Sequence, residues 1–507
     1  YFNGTRFLSW YDLRFEGKRP LLLGSVVQDD NAALSVTLTN PDVHVDGIIT
    51  LPRDTIAIER TKFLWQAVCY ERIGFRNYAD STRHFRIEIG FGADFHDLFE
   101  VRGTSRVRRG TCAAVVASDD VEYCYEGLDD LKRKTKLRFW PLPSRLELGR
   151  ATFDFELEPN GRLSLFVSVL CEDGNKPERQ PFGRAFRARR RAIRRKATGI
   201  ATVESSNGLF NEVCRQSTAD LYMLMTRTRH GIYPYAGIPW YSTVFGRDGI
   251  ITAMLLLWLD PSIAKGVLGF LAETQATTFV PYSDAQPGKI LHETRKGEMA
   301  RLGEVPFRHY YGTVDATPLF VMLAGMYFDR TGDTGMIQEI WPNIKAALQW
   351  IDMFGDADGD GFVEYARKTD AGLVNQGWKD SYDSIFHADG TLANGPIALC
   401  EVQGYVFAAK MQAARLAHRI GEPDLEHKLR CDAQKLRKNF EAAFWCEDLG
   451  TFALALDGSK APCKVRTSNA GHTLFSGIAS PAAALRVTRT LLGPDSFSGW
   501  GIRTVAS

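Results

Sequence analysis

Residues 231–253 read GIYPYAGIPWYSTVFGRDGIITA, an aromatic loop broken by Pro and Gly that ends in Arg247-Asp248 and opens an apolar helix. Such a join sets polar, loop-borne groups at the mouth of a helical core, as in domains whose helices pack and whose loops carry function. A ring such as Trp240 can stack on the C–H face of a sugar. An Arg–Asp pair can donate to and accept from the sugar's hydroxyls. A buried ion pair at a helix start, with the aromatics in the core, fits the same letters.

Downstream, the helical grammar continues. Ile250 to Leu259 and Thr317 to Phe328 are compact apolar runs. Val402, Tyr405, Val406, Ala409, Ala413, Leu416 and Ile420 recur at three- and four-residue steps, which marks one buried helix face over 394–420. Pro342 is placed to start another helix, with Ile344, Ala347, Leu348 and Ile351 on its inner stripe. The pattern predicts about nine helices between 200 and 507. Upstream, the period changes to two. Leu34-Ser-Val-Thr-Leu38, Phe85-Arg-Ile-Glu-Ile89 and Leu163-Ser-Leu-Phe-Val-Ser-Val169 read as strands bounded by Asp, Asn and Gly. The expected organisation is multidomain, β then α. An N-terminal antiparallel β-sandwich covers 1–182, a basic linker helix 183–205, and a helical domain 206–507.

Composition narrows the function classes. The chain has 507 residues, 45% hydrophobic and 24% charged, with a formal net charge of +2. That balance points to neither nucleic acid nor an anionic membrane as partner. The run Arg184 to Lys196, RAFRARRRAIRRK, is the local exception and reads as a solvated helix face. Nine scattered cysteines without a CxxC pair indicate free thiols in a reducing compartment, here the cytoplasm. No run of 18 apolar residues marks a membrane span. Oligomeric state is not legible.

Asn375 to Ser384, NQGWKDSYDS, is the second chemical segment. Asp380 follows Trp378 by two residues, so an aromatic wall is expected to desolvate its carboxyl and suit it to hold a proton as a general acid. A turn or N-cap role fits Asp380 as well. Asp356, Asp358, Asp360 and Gly361 open like an EF-hand loop, but Arg367 holds the twelfth position. A tight polar turn is the favoured reading there, with a looser Ca²⁺ site using Glu364 as the other. His292-Glu293 begins like HExxH, yet Lys296 stands at the last position, so the zinc motif fails. Asp315 precedes an apolar helix, either facing a cleft or capping that helix. No metal and no cofactor is expected.

In order, IPWYSTVFGRDGIITA, GKILHETRKGEMA (288–300), FRHYYGTVDATPLF (307–320), DADGDGFVEY (356–365) and NQGWKDSYDSIFHADG (375–390) resemble the bacterial amylo-alpha-1,6-glucosidase, or glycogen-debranching-type, family. The opening YFNGTRFLSWYDLRF and FRIEIGFGADFHDLFEVRG (85–103) extend the likeness along the chain. The resemblance implies a β-domain before an (α/α)6 toroid of the glucoamylase kind. It implies that Arg247 and Asp248 hold hydroxyls of a terminal sugar, with Trp240 as a wall. His292, Glu293 and Arg295 would border the mouth, and Asp315 and Trp378 would contact substrate. Asp380 would be the general acid of an inverting glycosidase, whose two carboxyls stand about 6.5–9.5 Å apart. In such folds the base lies near the last helices, so it is expected beyond Ser507, in a toroid here missing its final helices. Glu401 is the alternative base, or else a substrate contact or helix-start acid. The expected substrate is an α-glucan, plausible alternatives being another glucoside or a mannoside, or glycan binding without turnover.

Overall fold

The computed structural model describes residues 1–28, 30–197 and 200–507, with side chains for all of these except Lys196 and Ala197. Thr198 and Gly199 of the expected linker lie outside the described residues. The chain divides into two compact units. One is Tyr1–Leu224 with Lys296–Glu304, the other Met225–Arg295 with Val305–Ser507.

The first unit is built from two antiparallel sheets. One has four strands in the order Trp10–Phe15, Arg83–Gly92, Arg150–Leu157, Arg145–Glu147. The other has eight, running Leu21–Val27, Leu34–Thr39, Ile56–Trp65, Val68–Asn77, Arg162–Asp173, Lys132–Trp140, Asp120–Glu126, Thr111–Val116. Alternation explains their packing. Phe85, Ile87, Ile89 and Phe91 are buried while the residues between them face outward, and they share a core with Ile58, Ile73, Phe75, Leu137, Phe139, Leu165 and Val167 of the larger sheet. The basic run lies on the helix Phe182–Ala197. Phe182 and Phe186 of that helix pack on Phe63, and Arg189 reaches the carbonyls of Ala32 and Asn31. It is a helix docked by its apolar face.

The second unit is a set of helical hairpins. Ala316–Thr331 is followed by Thr334–Trp350, and Cys400–Ile420 by Pro423–Phe444. Gly332 (φ 66°) and Gly421 (φ 90°) make the left-handed turns between partners, a conformation that favours glycine. Within each pair the two helices differ in kind. Ala316 to Gly325 and Cys400 to Lys410 are buried without interruption, whereas Thr334–Trp350 and Pro423–Phe444 bury one stripe. A helix buried all round belongs inside and an amphipathic one outside, which is the two-ring logic of an α/α toroid. Gly246–Leu256 and Pro261–Glu273 form a further pair, the second capped by Asp260 on Ser262. Pro342 corrects one expectation, since it lies inside Thr334–Trp350 and the helix starts eight residues earlier with Asp333 capping Met336. Pro342 has no N–H to donate to the Gln338 carbonyl, and both residues are on the exposed face, where that carbonyl is open to solvent. Among the described residues no helix is long and apolar enough to cross a membrane.

Candidate active site

The inner helices begin where the polar residues gather. Arg247 stands in the first turn of Gly246–Leu256, Asp315 just before Ala316–Thr331, and Glu401 in the first turn of Cys400–Ile420. Helix N-termini carry partial positive charge and favour carboxylates placed there.

Arg247 is the centre of this group. It is 8% exposed, and its Nη1 donates to Asp315 Oδ2 at 3.1 Å and to the Gly377 carbonyl at 2.8 Å. Its Nη2 donates to Asp380 Oδ2 at 3.2 Å. Burial works against the guanidinium charge, but Asp315, Asp248 and Asp380 outweigh it and the net shift is upward. Asp315 is fully buried and also accepts from Thr313 Oγ1. The partners of Arg247 are therefore Asp315 and Asp380 and not Asp248, with which it makes no ion pair among the described residues. Adjacent helix positions point about 100° apart, so neighbours in sequence do not face each other. Asp248 remains half-buried, and burial raises its carboxyl while Arg247 pulls the other way.

Asp380 corrects a second expectation. Its side chain is 44% exposed, so Trp378 does not wall it off from solvent. What fixes it is the contact to Arg247. Lys379 points away, over the Trp378 ring at 5.2 Å and to the Thr504 carbonyl at 2.8 Å. The carboxyl that burial lifts is Glu401 instead. It is 1% exposed, its Oε1 has no hydrogen-bond partner, and burial pushes it up to about 7. Asn469 lies alongside and pulls in the opposite direction, though neither end of its amide makes a hydrogen bond of good geometry.

Trp240, His292, Glu293 and Arg295 form a separate layer. Arg295 Nε donates to Glu293 Oε2 at 2.6 Å and Nη1 to the Trp240 carbonyl at 2.6 Å, with the guanidinium over Phe245. His292 is 3% exposed between the rings of Phe245 and Tyr310. Burial, reinforced by Arg247, Arg295 and Lys289, pushes it well below the usual histidine range and leaves it neutral.

Three neighbours were not singled out from sequence. Tyr405, read as part of a core stripe, shares a 2.7 Å hydrogen bond with His472 Nδ1, and the His472 ring packs on Trp378. Asn469 lies three residues before His472. The polar pair Asn469 and His472, next to an apolar run, was the available signal.

The Asp356 loop stands apart. The carboxylates of Asp356, Asp358 and Asp360 lie within 4.8 Å of one another. Lys460 Nζ is 2.7 Å from Asp358, 2.7 Å from Asp360 and 2.8 Å from Glu364. A lysine ammonium thus takes the place of a held cation. Backbone N–H groups of Gly359 and Gly361 satisfy Asp356, as in a tight polar turn.

Comparison with known proteins follows this division. Residues 1–168 match the model of an N-terminal domain of some glycogen debranching enzymes. Residues 241–507 match that of a mannosylglycerate hydrolase MGH1-like glycoside hydrolase domain. A bacterial glucoamylase solved with acarbose is similar at a TM-score of 0.61 and 10% identity, over 97% of this chain and 74% of that one. A kojibiose phosphorylase candidate from the human microbiome is similar at 0.54 and 9% identity, over 89% of this chain and 62% of that one. The chain thus spans less than two thirds of the phosphorylase. At such identities the likeness speaks for the fold, an antiparallel β-domain followed by a glucoamylase-type helical toroid. A search among curated proteins gave no match.

Proposed function

We propose, for a chain that belongs to the mannosylglycerate hydrolase MGH1-like glycoside hydrolase family, that it removes terminal glucose from α-glucans, with an α-1,6 branch stub as the preferred bond and inversion at the anomeric carbon. The observation that carries this reading is the half-exposed Asp380 carboxyl, 3.2 Å from an Arg247 that is itself tied to Asp315 and the Gly377 carbonyl. Asp380 lies where a bound substrate can reach it, and a fixed frame holds it. Asp380 protonates the leaving glycosidic oxygen. A second carboxylate activates water from the opposite face, as inversion requires. Arg247 and Asp248 hold the ring hydroxyls, Trp240 and Trp378 supply apolar walls, and His292, Glu293 and Arg295 shape the mouth. Asp315 keeps Arg247 in place, and Glu401, its carboxyl lifted by burial to about 7, contacts substrate. The nine free cysteines agree with work in the cytoplasm. The N-terminal match to debranching enzymes favours glucan over other glycosides.

The family description favours one second reading, hydrolysis of a glycoside such as mannosylglycerate by the same residues. The test is glucose release from a branched α-glucan limit dextrin, run beside mannosylglycerate and beside added inorganic phosphate. Glucose from the dextrin, lost in Asp380→Asn, supports the proposal. Turnover of mannosylglycerate alone selects the second reading. A sugar phosphate product means phosphorolysis, and sugar binding without any product means a glycan-binding protein.

A further inference from the structure

We propose that Asn375 is the positioning residue of this site: its side-chain amide holds the turn that sets Asp380 against Arg247, and so controls proton transfer without touching substrate. The inference rests on the reading of Asp380 as the proton donor.

Asp380 has no regular structure to hold it. Between the helical segment ending at Gly355 and the short strand Ala398–Leu399, the described residues form no helix or strand, only isolated bridges such as Tyr365 to Ile397. A loop of this kind is ordinarily the mobile part of a fold. A general acid, however, works only near its productive geometry, and a displacement of about 1 Å can cost about 100-fold in rate. Something must therefore fix residues 376–384 from within.

Asn375 does so with three hydrogen bonds. It is 3% exposed. Its Oδ1 accepts from the Tyr365 hydroxyl at 2.7 Å. Its Nδ2 donates to the Ser381 carbonyl at 2.7 Å and to Ser384 Oγ at 3.2 Å. Ser384 Oγ in turn donates to the Lys379 carbonyl at 2.6 Å. Lys379 and Ser381 are the two residues that flank Asp380, so the amide ties the backbone on both sides of the acid. Upstream, the Gln376 carbonyl accepts from Val314 N at 2.9 Å and the Gly377 carbonyl from Arg247. The turn is thereby anchored to Tyr365, to the approach of the Ala316–Thr331 helix and to Arg247 at once. Only an amide fits this place. It must accept from a phenol on one side and donate twice on the other, which a carboxylate of the same shape cannot do.

The test uses Asn375→Asp, Asn375→Ala and Asp380→Asn, singly and in combination, in the whole protein. The expected result is a kcat lower by about 10- to 100-fold in either Asn375 variant, with KM within about twofold. In the Asp380→Asn background the same substitutions cost less than about threefold more, because a residue acting through Asp380 has nothing left to position. Equal losses in both backgrounds, or wild-type kcat in the Asn375 variants, overturn the proposal while leaving the acid assignment standing. Wild-type turnover by Asp380→Asn alone overturns the acid assignment and this role with it. Hydrogen exchange supplies a readout that needs no turnover. Amides of 376–384 lose protection in Asn375→Ala while those of Cys400–Ile420 keep theirs, and unchanged protection of the turn overturns the proposal.

Discussion

Arg247 is the residue on which the site turns, because it binds a carboxylate before the Ala316–Thr331 helix together with a carboxylate and a carbonyl of the 376–384 turn. A planar fork makes those contacts together and an ammonium does not. Arg247→Lys is thus expected to weaken substrate binding. Loss of one charge-assisted hydrogen bond is worth about 1.5–3 kcal/mol, about a 10- to 100-fold rise in KM; an unchanged KM would remove Arg247 from the substrate-binding set. Glu401 makes a prediction about pH. Its carboxyl sits near 7 in the folded chain against an ordinary 4.5, so the folded protein keeps this proton longer than the unfolded one does. The stability it contributes is complete below about pH 4.5 and is lost as the pH rises to about 7, by about 3 kcal/mol in all. Glu401→Gln carries no such term. Melting curves at pH 5 and pH 8 should show the wild type losing ground to the variant at the higher pH, and a constant gap between them would show that Glu401 is not titrating there. At this scale the sequence was informative about which residues matter and poor on their partners. Arg247 and Asp380 stood out by composition, but they are 133 positions apart. The nearest acid in sequence, Asp248, is excluded as partner by helix geometry. Tyr405 passed as a core residue because its ring is one, while its hydroxyl bonds His472 and its ring meets that imidazole edge-on.

Elements were more legible than contacts. The period-two run at Phe85–Ile89 and the three-four stripe over Val402–Ile420 each became the element they indicated, because burial of one face dictates the period. Pro342 misled, since a proline on the exposed side of a helix gives up little and its letter resembles a helix start. The Asp356 loop shows the other limit. Its acids read first as a tight polar turn and otherwise as a loose cation site, and the partner the letters did not show is Lys460, about a hundred residues away in sequence. Glu364 leans on that ammonium with a side chain only 1% exposed. Lys460→Met strands this carboxylate. The full cost of breaking a buried pair is about 3–5 kcal/mol, and because Lys460 is about a third exposed about 2 kcal/mol is expected after solvent screening. Urea unfolding measures it, and an unchanged midpoint would mean the clamp adds nothing. EDTA should leave melting temperature and turnover as they are; a drop in either would mean that a metal competes with Lys460 for the loop.

At the scale of the whole molecule, a change of hydrophobic period divides the sequence into strand-rich and helix-rich halves, and the two family models match on either side of it. The ring closure of a helical toroid has no such signature, because it depends on which faces meet rather than on where helices lie. The proposed chemistry belongs to the loops at one end of the inner helices, and the central claim is that those loops perform single-step displacement at the anomeric carbon. Proton NMR of the sugar released from a branched α-glucan limit dextrin in the first minutes reads this directly, before mutarotation mixes the anomers. The account predicts β-glucose. Early α-glucose would mean retention of configuration, and the assignment of Asp380 to an inverting mechanism would be wrong.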